Sequence, residues 1–167
     1  MEQPSTSSPL GTYLNDHLAG ATGGVEMLRR AAKAHRHDGL GRDLAELAED
    51  VAQDRGALLG IMASLGIPVR RLGVAMGWLA EKAGRLKLNG RLLSRSPLSD
   101  VMELELMRLG VEGKALGWRT LRSLSDTDRR LDASTLDDLL RRATEQADAL
   151  EAMRTRTATR VLVADRS

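Results

Sequence analysis

The chain has 167 residues, enough for one domain whose core needs no covalent staple. It has no cysteine, which removes disulfides, thiolate catalysis and cysteine-ligated zinc and makes a cytoplasmic location the expectation. The 25 cations and 23 acids leave a net charge of +2, too little for the whole molecule to act as a polyanion binder.

Residues 1–10 are polar, lack a basic start and lead into no long apolar run. They read as a disordered tail rather than a signal peptide, with 11–164 as a single helical domain. No segment has the apolar length that crosses a bilayer, so no membrane contact is expected. Leu14, Leu18, Ala21, Val25, Leu28 and Ala32 recur in steps of three and four, which predicts a helix from about Thr12 to Arg36. His35, Arg36 and His37 supply cations for its last turn.

Leu40, Leu44, Leu47, Val51, Asp54, Leu58, Ile61 and Leu65 form a second stripe, ended by Gly66 and Pro68. One member of that stripe is an aspartate. A short third helix is expected from Pro68 to Lys87, with proline at its first turn, and then a loop to Arg95. Ser96-Pro97 opens a fourth helix reaching Leu124, with Met102, Leu106, Leu109 and Leu116 as its apolar positions. Ser134-Thr135-Leu136-Asp137 reads as a capping box that starts a fifth, carrying Leu136, Leu140, Ala143, Ala147, Leu150 and Val161. Two long helices, a short crossover and two more long helices give an all-α four-helix bundle with one long connection.

Glycines stand four apart in four of these helices: Gly20/Gly24, Gly56/Gly60, Gly73/Gly77 and Gly113/Gly117. Since a helical glycine costs about 1 kcal/mol relative to alanine, the spacing calls for a reason. Close packing between helices of the bundle is the plain one, and a groove for a ligand or partner the other. Trp78 and Trp118, which follow the last two pairs, read as packing anchors. With Tyr13 they are the only aromatics, too few for base stacking on single-stranded nucleic acid.

Asp50-x-x-x-Asp54, then Leu58, Ile61-Met62, Leu65-Gly66 and Ala75-Met76-x-x-Leu79-x-x-Lys82, resembles the second helix and crossover of the YciF-like bacterial stress proteins, small bundles of the ferritin-like superfamily. The resemblance implies a ferritin-like fold with the short fifth helix in the crossover. Its iron site does not carry over. Ferritin-like metal proteins use a glutamate from each of two helices and Glu-x-x-His from each of the others. No Glu-x-x-His occurs here, and His17, His35 and His37 all fall in or just after the first helix.

Three readings follow. The first is a non-catalytic bundle acting by association, with a homo-oligomer or another protein as partner and a stress-related or scaffolding role implied by the resemblance. The second is an atypical metal site of Glu26, Asp50, Asp54, Glu105 and His17, whose hard ligands suit iron, manganese or magnesium. Against it stands the plainer view that Asp54 pairs with an arginine. The third is nucleic-acid binding by the basic crossover, with Arg85, Lys87, Arg91 and Arg95 as anion ligands. Against that stands a surface match between the basic crossover and the acidic second helix. No phosphate-cradling glycine loop, zinc-protease motif or nucleophile elbow supports an enzyme.

Overall fold

The computed structural model describes residues 8–70 and 97–164. Within them lie four helices and no strand: α1 (Pro9–Ala34), α2 (Gly39–Ser64), α3 (Pro97–Leu124) and α4 (Ala133–Ala164). α1 starts three residues ahead of Thr12 because Ser8 caps it, its hydroxyl accepting the Gly11 N–H at 3.0 Å. Pro9 fills the first turn, where a missing N–H costs nothing, so Pro9 and Leu10 belong to the helix rather than to a tail.

The turn into α2 is tight. The His35 N–H bonds back to the Ala31 carbonyl at 3.0 Å, and the Asp38 carboxylate accepts the Gly41 N–H at 3.1 Å. A Cβ on Gly41 would collide with the His35 carbonyl, so the first turn of α2 rests directly on the end of α1. α2 closes as expected at Gly66, whose φ of 71° lets Gly66 and Ile67 donate back to Ala63 and Met62.

No helix starts at Pro68: Ile67 to Arg70 is irregular, and the rest of the expected crossover helix lies outside the described residues. The reason is Asn15, buried in α1. Its amide nitrogen donates to the Gly11 carbonyl at 2.8 Å and the Pro68 carbonyl at 3.2 Å, while its oxygen accepts the Arg70 N–H at 2.7 Å. The chain leaving α2 is thereby stitched across the start of α1. At α4 the capping residue is Asp132 rather than Ser134: its carboxylate accepts the Thr135 N–H at 2.9 Å and the Ser134 hydroxyl at 2.6 Å.

The helices form two antiparallel hairpins, α1–α2 and α3–α4, which meet along α1–α3 and more loosely along α2–α4. Tyr13 bonds Thr120 at 3.1 Å while His35 reaches Asp100 at 3.2 Å, so α1 and α3 run in opposite senses. Arg142 at Asp54 and Arg156 at Asp43 show the same for α2 and α4. α2 and α3 therefore point the same way. At 1.5 Å per residue α2 is about 39 Å long, and the end of α2 and the start of α3 lie at opposite ends of the bundle.

The predicted stripes of α1, α2 and α4 face one shared core through Leu14, Leu18, Leu44, Val51, Leu136 and Leu150. α3 is turned the other way from the sequence expectation. Val101, Leu104, Met107, Val111, Trp118 and Leu121 are buried, whereas Leu98, Met102, Leu106, Leu109 and Leu116 face outward. α3 carries two apolar stripes of helical period, and the inward one contains Trp118, the largest side chain on the helix.

The glycine pairs also need correcting. A Cβ at Gly20, Gly24, Gly56, Gly60 or Gly113 would meet nothing within 4 Å, so these glycines do not serve helix packing among the described residues. Gly117 does, with a Cβ position 3.0 Å from the His17 ring. Gly73 and Gly77 lie outside the described residues.

Candidate functional site

The polar centre of the molecule is built around Asp54, which sits in the apolar stripe of α2 and is 1% exposed. A lone carboxylate there would be strongly unfavourable, and three neighbours answer it. From α3, the Lys114 ammonium donates to Oδ2 at 2.5 Å. From α4, the Gln146 amide donates to the same oxygen at 2.9 Å, and its own carbonyl oxygen accepts from Lys114. Arg142, one helical turn before Gln146, brings Nη2 to 3.0 Å from Oδ1. That contact is ionic rather than an aligned hydrogen bond: Oδ1 has no hydrogen-bond partner. The Arg142 guanidinium donates instead to the Asp50 carbonyl at 3.1 Å and the Gln53 side chain at 3.3 Å.

Burial pushes the Lys114 amino group below the ordinary lysine range, and Asp54 pulls it part of the way back. The plainer sequence reading of Asp54, a carboxylate paired with an arginine, is therefore met by Arg142, with Lys114 and Gln146 added. Gln146 is legible in principle as a polar residue on the apolar stripe of α4. Lys114 is hidden from sequence reasoning because it lies off the leucine-rich stripe of α3.

The five candidate metal ligands are not gathered. Glu26 and Asp50 are exposed, and Glu105 lies on the outer flank of α3, 3.7 Å from Arg154. His17 packs edge-on to Tyr13, with ring centroids 4.5 Å apart, and lies over Gly117. Burial pushes its imidazole below the ordinary value, with Asp16 opposing. Among the described residues no group of three or more His, Asp or Glu side chains is placed to hold a metal ion. The residues present do not fit the metal that a ferritin-like likeness implies, because the buried carboxylate already lies between two cations and a metal would add a third. Arg85, Lys87, Arg91 and Arg95 lie outside the described residues.

His35 does more than serve a helix end. Its Nδ1 is 3.1 Å from Asp38 and its Nε2 3.2 Å from Asp100, so one ring ties the α1–α2 turn to the start of α3. Beside the Asp54 cluster, α2 and α4 diverge to leave a groove of about 400 Å³. Asp43, Glu46, Asp50 and Glu145 line it with Arg142 and Arg156, and Arg156 is taken up by Asp43 at 3.0 Å.

The outer face of α3 is the other unusual surface. Leu109 is 65% and Leu116 58% exposed, and Leu98, Met102 and Leu106 continue the same stripe along the helix. Single exposed leucines are ordinary, whereas an aligned row of large apolar side chains is not. The contacts of His17 with Gly117 and Tyr13 with Thr120 bring Gly20 and Gly24 of α1 level with the middle of that row, where they add no side-chain bulk. No helix among the described residues is long and apolar enough to cross a membrane. Comparison with protein-family models, with curated proteins and with solved structures finds no match for the chain.

Proposed function

We propose that this chain is a ferritin-like bundle without a metal centre, and that it works by binding protein through the outer face of α3. The observation that carries the reading is the row Leu98, Met102, Leu106, Leu109 and Leu116, five large apolar side chains exposed along one face of one helix. A helix with apolar residues on both faces belongs inside a larger assembly. The helix directions support the ferritin-like part, with two hairpins, α2 and α3 pointing the same way, and a long connection between them. The position of Lys114, Gln146 and Arg142 around Asp54 supports the absence of a metal centre.

The test is the apparent size of the protein in extracts of the cells that make it, for the wild type and for the double variant Leu109→Glu/Leu116→Glu. The expected result is a wild type that elutes above its monomer size and a variant that elutes as a monomer. Monomeric elution of both removes the reading.

A further inference from the structure

The outer row of α3 has the period of a helix partner. Met102, Leu109 and Leu116 recur every seven residues, as in the seam between two helices. Gly113 lies in the same row between the last two. Nothing among the described residues comes within 4 Å of the Cβ it lacks, so no contact among them accounts for a mid-helix glycine there. A backbone closing from outside would account for it, since the missing side chain allows a second helix to come close at that point.

Charge selects the partner. Beside the outer row, Glu105 stands in the first half of α3 and Arg119 in the second, while Arg108 and Glu112 face each other at 3.6 Å and Lys114 and Asp100 turn inward to Asp54 and His35. Two copies laid antiparallel set each Glu105 toward the other's Arg119, whereas a parallel pair sets like on like. The antiparallel arrangement also closes by a twofold axis, the commonest symmetry of soluble oligomers.

Resting on the association reading above, we propose that a second copy of this chain covers the face, with the two α3 helices antiparallel and the twofold axis passing near Leu109 and Gly113. Glu105 of each copy then lies toward Arg119 of the other.

The experiment is sedimentation equilibrium of the purified full chain from low micromolar to submillimolar concentration, with oxidative footprinting of Met102 against the buried Met107 as internal reference. A dimer is expected, with Met102 protected only where the dimer forms. Leu109→Glu should raise the dissociation constant roughly tenfold or more while leaving the helical circular dichroism unchanged. Glu105→Lys and Arg119→Glu should each weaken self-association, and an equimolar mixture of the two should restore it.

A monomer with Met102 reactive throughout overturns the twofold pair but leaves association with a different protein standing. A monomer with Met102 protected at every concentration overturns both, because the face is then covered from within the chain. A dimer indifferent to Leu109→Glu overturns the proposed interface.

Discussion

Lys114 Nζ lies 2.5 Å from Asp54 Oδ2 inside the bundle, where each is the nearest opposite charge of the other and Gln146 and Arg142 complete the cluster. Removing one partner of a buried pair strands the other, at a cost of about 3–5 kcal/mol. Asp54→Ala should lose about that much stability in urea unfolding. The triple variant Asp54→Leu/Lys114→Met/Gln146→Leu removes the whole buried set and leaves Arg142 to its bonds with Asp50 and Gln53. It should match the wild type or exceed it by about 1–4 kcal/mol. A triple variant as unstable as Asp54→Ala would show that the network contributes more than the desolvation it requires.

The glycines divide into two groups with opposite expected signs. Gly20, Gly24, Gly56 and Gly60 have open space where a Cβ would go, so alanine at each should raise stability by about 0.5–1 kcal/mol in thermal unfolding. Gly41 has the His35 carbonyl in that space, and Gly41→Ala should lower stability by about 1–3 kcal/mol. A gain at Gly41 would mean that α2 does not rest on the end of α1.

Asn15 is the joint between α1 and the chain leaving α2. Asn15→Ala removes the acceptor of the Arg70 N–H and the donor to the Pro68 carbonyl, for a loss of about 1–3 kcal/mol. Amide exchange reads the effect locally: the Arg70 N–H should lose its protection while amides in the middle of α1 keep theirs. Unchanged protection at Arg70 would remove the joint.

On the α3–α4 surface, hydrogen bonds from the Arg154 guanidinium hold the Glu151 carboxyl down at about 2, and its charge adds to the effect. The carboxyl is more acidic in the fold than in the unfolded chain. The stabilising contribution of the pair is therefore complete above the ordinary glutamate value and is lost as pH falls from there toward 2. Carboxyl NMR titration should show Glu151 among the most acidic glutamates. Arg154→Ala should return it toward 4.5, and a Glu151 that titrates normally in the wild type would dissolve the pair.

Three of the four described helices are legible in the sequence because each has one apolar stripe, as with Leu14, Leu18, Val25 and Leu28 in α1. Asp54 is legible as the polar member of such a stripe. The facing of α3 is not, because periodicity reports that an apolar face exists and does not rank two of them. Hydrophobicity alone favours the leucine-rich row, in which Met102, Leu109 and Leu116 repeat evenly, yet Trp118 and Lys114 lie on the other. The site partners are lost with the stripe, since Lys114 joins Asp54 only when α3 is turned correctly. Asn15 gives no sign beyond its place near an apolar run, because its partners Pro68 and Arg70 are more than 50 residues away.

That ambiguity gives the buried pair a role apart from stability. Rotated half a turn about its axis, α3 would offer the core Leu98, Met102, Leu109 and Leu116, a set as greasy as the present one. The same rotation would carry Lys114 into water and leave Asp54 without its ammonium. The leucines cannot tell the two orientations apart, but the aspartate can. Asp54 acts as a keyway for α3, accepting the helix in one rotational setting and rejecting the other.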